Sequence, residues 1–148
     1  MANDASVTMT ATVLPDEIAK ALSGTITVSP ADANDKWYYK LTSVSNASTD
    51  LIAGYFTDYT AVDDDTAPTA VATGDKVKFL FIKNTDTAND IHFVIDAGTA
   101  STSVSDGIKV SAGNSVALEL PNTTVAEIHA ISSTSTVNCV VAALIEDV

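Results

Sequence analysis

Hydrophobic and polar positions alternate along most of this chain, and the clearest pattern runs from Gly74 to Asp96. Val77 to Ile82 is a β-branched and aromatic run, and Ile91 to Ile95 is a second, with a polar turn between them at Asn84 to Asn89. Alternation puts Val77, Phe79 and Phe81 on one face and Leu80 and Ile82 on the other, which predicts a strand covered on both sides near the centre of the fold. In the second run Ile91, Phe93 and Ile95 oppose His92, Val94 and Asp96. Upstream, Val7, Met9, Ala11 and Val13 alternate with Ser6, Thr8, Thr10 and Thr12, a half-buried strand or arm occupying about residues 1–14. Pro15 to Leu22 predicts one short helix, with Pro15 at a first helical position, Asp16 and Glu17 at its positive end and Gly24 as the stop.

The remainder reads as strands separated by turns. Thr25 to Val28 is brief, and Lys36 to Val44 places Trp37, Tyr39 and Leu41 on one face, with Trp37 as the expected core anchor. Leu51 to Tyr59 continues the pattern past a bend at Gly54, and 60–73 is a long acidic loop within one domain. Ile108 to Val110 is a short strand, Ala112-Gly113-Asn114 turns into Ser115 to Leu120, and Pro121-Asn122 turns again. Val125 to Ile131 and Thr136 to Ile145 close the chain. The last strand is apolar on both faces, so it is either central in a sheet or covered by another subunit. Eight or more short strands with one helical turn predict a single domain over 1–148, an antiparallel all-β sandwich of jelly-roll or Ig-like type.

Composition narrows the function classes. Charged residues make up only 18% of the chain, and 19 acids against 7 bases give a net charge of -12. That surface repels nucleic-acid phosphates and anionic membranes, so neither is an expected partner. Cys139 is the only cysteine and lies in an apolar run, which predicts a buried, inert thiol and no disulfide. The first residues lack a basic region followed by an apolar core, so no signal peptide is expected, and no apolar run approaches the roughly 20 residues that cross a bilayer.

Candidate chemistry is sparse. Asp63, Asp64 and Asp65 could offer oxygen ligands to a hard cation, but the spacing matches no EF-hand, and a solvated acidic loop is the simpler reading. His92 and His129 lack a third ligand at matching spacing. No nucleophile elbow or phosphate-binding loop occurs. The expectation is therefore no enzyme and no cofactor. Trp37, Tyr38, Tyr55 and Tyr59 could instead form a stacking surface for sugars, as in an Ig-like or carbohydrate-binding adhesion module.

The order Phe81-Ile82-Lys83-Asn84-Thr85, hairpin Ile91-His92-Phe93-Val94, glycine turn Ala112-Gly113-Asn114-Ser115-Val116 and Thr-rich closing hairpin resembles small β-sandwich proteins of tailed-bacteriophage virions, the capsid decoration or cement proteins. The likeness covers about residues 74 to 148. It implies a structural protein on the outer surface of a phage head, bound to the major capsid protein and to itself as a trimer or dimer, made in the host cytoplasm and bridging neighbouring capsid subunits. It also implies that the Ser6 to Leu14 arm extends a sheet of the shell. A tail or head-to-tail connector protein is the alternative within the virion. The residues expected at contacts are Val7, Met9 and Val13 on the arm, and Val137, Val140, Val141 and Leu144 on the closing strand.

Overall fold

A computed structural model describes residues 4–13, 20–56, 69–103, 105 and 107–148, with the backbone alone described at 13, 20 and 21. All of its regular structure is antiparallel β apart from one short 3₁₀ turn. The chain divides into two units, Met1–Asp32 and Ala33–Val148.

The first unit is a hairpin. Strand β1 (Ala5–Val13) pairs antiparallel with β2 (Lys20–Val28) in unbroken register, from Ala5 opposite Val28 to Val13 opposite Lys20. The helix expected over Pro15 to Leu22 is corrected here: Lys20, Ala21 and Leu22 are the first residues of β2, and 15–19 lie outside the described residues. Propensity at the end of that segment gives way to a full ladder of hydrogen bonds with β1. The register puts Ala5, Val7, Met9 and Ala11 opposite Val28, Ile26, Gly24 and Leu22 on one face, while serines and threonines, with Ala21, occupy the other.

The second unit holds two four-stranded sheets. One has the order β3 (Asp35–Val44), β10 (Val137–Glu146), β5 (Lys76–Asn84), β8 (Ser115–Thr124). The other has the order β4 (Thr49–Asp50), β9 (His129–Ser132), β6 (Ile91–Val94), β7 (Ile108–Val110). Both contribute to one buried cluster, with Tyr38, Leu80, Ile82, Cys139 and Val141 from the first sheet and Ile91, Phe93, Val110 and Ala130 from the second. The closing strand β10 lies in the interior of its sheet, between β3 and β5, and its core-facing side is wholly apolar, with Val137, Cys139, Val141, Ala143 and Ile145 all buried.

Strand β5 is central, as its sequence predicts, but its faces are not the simple alternation. The register slips between Val77 and Phe79 against both neighbours, so Lys78 is an extra residue and Val77 turns to the core side with Leu80 and Ile82. The bulged Lys78 reaches Asp35 at 2.7 Å and Glu146 at 3.2 Å. On β8 the same irregularity takes in Leu120, Pro121 and Asn122, so the expected turn at Pro121 is a distortion within a longer strand.

Strand β3 is also in the opposite phase. Tyr38 and Val44 are buried, while Tyr39 and Leu41 are 56% and 60% exposed. Trp37 is half-buried on the outer side, edge-on to Phe79 at 6.4 Å, so it is not the core anchor. Leu51 and Ile52 are buried in a bend rather than a strand, held by the Leu51 N–H donating to the Ile128 carbonyl at 3.1 Å and followed by the Tyr55–Ala70 bridge. The expected strand Val125 to Ile131 begins as a 3₁₀ turn, Val125–Glu127, where the Glu127 carboxylate accepts from the Thr124 N–H at 2.5 Å and its hydroxyl at 3.0 Å. Gly113 takes φ 73° in the turn that opens β8, closed by the Asn114 N–H donating to the Ser111 carbonyl.

Candidate interaction surface

The closing strand divides its expected contact residues between two sides. Val137 and Val141 are fully buried in the core cluster, and Leu144 is buried on the other side of the strand beside Phe79. A side chain closed in by its own subunit has no surface to offer a neighbour, so these three are corrected from contact residues to packing residues. Val140 is half-buried on the outer side. On the hairpin, Met9 is 46% exposed and Val7 is half-buried; the side chain of Val13 lies outside the described residues.

What emerges is an apolar outer face on the β3–β10–β5–β8 sheet. Cross-strand register sets Leu41 beside Val140, and Tyr39 beside Ala142, which in turn neighbours Phe81 and through it Ala117. Leu41 is largely exposed, and Val140, Ala142, Phe81 and Ala117 are half-buried. Charge stands at the ends of this face. The Lys78–Asp35–Glu146 cluster closes one end. At the other, Ser43 donates to Asn138 at 2.7 Å, and Lys83, in the same cross-strand row as Leu41 and Val140, reaches the Gly113 carbonyl. Nothing in simple alternation distinguishes this face from a core face; the signal was the phase shared by Tyr38 and Val44, which assigns Leu41 to the outside.

The other sequence candidates fall elsewhere. Asp63, Asp64 and Asp65 lie outside the described residues, as does Tyr59. Among the described residues no group of three or more His, Cys, Asp or Glu side chains could hold a metal ion. His92 and His129 share the outer side of the second sheet, where the residue opposite His92 is Ile131. The His129 ring places Nδ1 2.8 Å from the Gly98 carbonyl oxygen and Nε2 3.3 Å from Asp50 Oδ1. His92 Nδ1 is buried without a hydrogen-bond partner. Tyr38 is no stacking platform: it is 1% exposed, its hydroxyl donates to the Ala53 carbonyl at 3.1 Å, and burial pushes its pKa up. Tyr55 alone of the four aromatic candidates is openly exposed among the described residues. Burial likewise pushes the Cys139 thiol up to about 11, which leaves it protonated and shielded.

Carboxylates at the loop ends tie the second unit together. Lys109 lies 2.7 Å from Asp90 and, with the Ala112 N–H, holds that carboxyl below its ordinary value of 3.8. Asp86 is lowered by the Ala88 and Asn89 N–H groups, and Glu127 by Thr124. A carboxyl with a depressed folded pKa contributes stability above its unfolded value and loses it as pH falls through the folded one. The melting temperature is therefore expected to hold down to about pH 5 and fall below about pH 4. Asp90→Asn should flatten part of that acid limb without changing its direction. Thermal melts across pH 2 to 7 would check this, and identical limbs in both proteins would rule it out.

Among the described residues, no helix is long and apolar enough to cross a membrane. No family model, curated protein or solved structure matches this chain.

Proposed function

We propose that this chain is a structural protein of a tailed-bacteriophage virion, a decoration or cement protein that binds the outside of the head and bridges neighbouring capsid subunits. The observation that carries the reading is an apolar outer face, with Leu41 and Tyr39 exposed and Val140, Ala142 and Phe81 half-buried, on a chain of net charge -12. Apolar area kept at the surface of so charged a molecule marks a place where protein binds protein. Acidic surroundings restrict such binding to charge-matched partners and disfavour nucleic acid and anionic lipid. Two antiparallel sheets contributing to one core suit a β-sandwich, of jelly-roll or Ig-like type, and that rigid scaffold suits repeated copies on a shell. The proposed work is adhesion by surface and copy number, without catalysis or cofactor.

Co-sedimentation of the purified chain with shells that lack it tests the proposal. Saturable binding at a fixed ratio to the major capsid protein is expected, together with a raised temperature of shell disruption. Shells that pellet without the chain would contradict it. Ring-shaped particles of the chain alone under the electron microscope would favour the connector or tail alternative.

A further inference from the structure

We propose that two copies of this chain join edge to edge through β8, antiparallel about a two-fold axis at Ala117, so that the β3–β10–β5–β8 sheet of one copy continues into the same sheet of the other. This concerns self-association alone and stands or falls independently of whether the chain binds a capsid.

Strand β8 ends its sheet: among the described residues it pairs with β5 and with no other strand. The edges of the second sheet, β4 and β7, are two and three residues long, whereas β8 runs for ten. A long open edge is a template for another strand, and a short edge is one way to avoid that. The ladder fixes which backbone groups are open. The Asn84 N–H donates to the Asn114 carbonyl at 3.0 Å, and the register carries that pairing on to Ile82 with Val116 and Leu80 with Leu118. Alternate residues of an antiparallel pair turn the other way, so Ser115, Ala117 and Glu119 direct their N–H and C=O groups away from β5.

The open stretch fits itself. It is bounded by Gly113, at φ 73° in the turn before β8, and by Pro121, which has no N–H, each four residues from Ala117. Setting Ala117 opposite its counterpart sets Ser115 opposite Glu119 and Val116 opposite Leu118. All the outward-facing residues then fall in hydrogen-bonded pairs, with about six bonds between the copies. Val116 and Leu118 are half-buried against the core, and each covers the other across the axis. Slipping the register toward the end of the strand would set Ser115 opposite Pro121, or Glu119 opposite Glu119.

Charge selects a second copy as the occupant. With a net charge of -12, copies of this chain repel one another wherever their acidic surfaces approach. Glu119 is the only charged residue of β8. In this register the two Glu119 positions lie about 13 Å apart along the strands, beyond the screening length of about 8 Å at physiological salt. Each shares a row instead with Lys83 of the other copy, because Lys83 stands opposite Ser115 on β5. Their backbones are about 10 Å apart with the small Ser115 between them, within reach of a lysine and a glutamate side chain. The edge thus pairs its one acid with a base that the same chain supplies.

Sedimentation velocity of the full-length protein between about 1 μM and about 1 mM, the span of weak association, reads the result. The mass is expected to rise from 15.3 kDa toward twice that value. Over the same range, hydrogen exchange should show the Ser115, Ala117 and Glu119 amides gaining protection, with Val116 and Leu118 protected throughout. Ala117→Pro removes an N–H that faces water in the single chain, and should stay monomeric. Glu119→Lys and Lys83→Glu should each weaken the dimer by about tenfold, since each brings like charges together twice. An equimolar mixture of those two should recover it, because every row then joins a lysine to a glutamate. Protection of the buried Cys139 from a thiol reagent reports that each variant remains folded. A wild type that keeps the mass of one chain would overturn the proposal. So would a dimer whose Ala117 amide exchanges equally fast at both ends of the range, or a mixture no tighter than its single variants.

Discussion

Replacing Phe93 by alanine is expected to destabilise the 33–148 unit by about 3–5 kcal/mol, the usual cost of deleting a fully buried aromatic ring. Phe93 is completely buried, and its strand β6 lies between β9 and β7. Its backbone neighbours are Ala130 and Ile108, one of them too small to close over a missing ring. At a few degrees per kcal/mol, the melting temperature should fall by roughly 10–20 °C. Leu41→Ala, at a position 60% exposed, is the matched control and should change stability by no more than about 0.5 kcal/mol. Calorimetry on the three proteins would check this. Equal losses from both substitutions would mean that the inner and outer sides of the first sheet are assigned wrongly.

The second large effect is expected at Asn84, a polar side chain with no exposure to solvent. Its amide nitrogen donates to the carbonyls of Asn89 at 2.9 Å and Val110 at 3.2 Å, and its oxygen accepts from the Asp86 N–H at 3.0 Å. One residue thereby joins the end of β5 to the turn before β6 and to β7 in the other sheet. Asn84→Ala removes these bonds and leaves the buried Val110 carbonyl without its side-chain donor, so a loss of about 2–4 kcal/mol is expected. Urea titration would measure it. A loss below about 0.5 kcal/mol would show that water replaces the amide without cost.

Much of this architecture was legible in the sequence because alternation is a local property. The strands around Phe81, Phe93, Leu118 and Val141 follow from their patterns, and the glycine turn at 112–114 from the residues that such a turn requires. What was not legible depends on partners distant in sequence. The β5 bulge exists where Lys78 meets Asp35 and Glu146, 43 and 68 residues away along the chain, and it reverses the face that Val77 occupies. Trp37 looked like a core residue because it is large, yet the phase of its strand is fixed by Tyr38 and Val44, which the core takes instead. The end of the expected helix, Lys20 to Leu22, obeys its pairing with β1 rather than the capping residues before it.

The contact residues show the same division. A strand apolar on both sides could be explained by a central position or by a neighbouring subunit, and local sequence does not distinguish the two. Burial decides for Val137 and Val141, which face the core shared with the second sheet, and for Leu144, which is closed in beside Phe79. The exposed apolar area then lies elsewhere, at Leu41 and its neighbours and on the hairpin at Met9 and Leu22. It is these residues, rather than any cluster of titratable groups, on which the proposal of a protein that acts by adhesion rests.

The most direct test of the proposed virion role is to quantify the chain by mass spectrometry in gradient-purified tailed-phage particles from cells that make it, with electron cryo-microscopy of the same particles. The account requires the chain in the particle at a fixed ratio to the major capsid protein, as density on the outside of the head. Virions that assemble without a single copy of it would contradict the account.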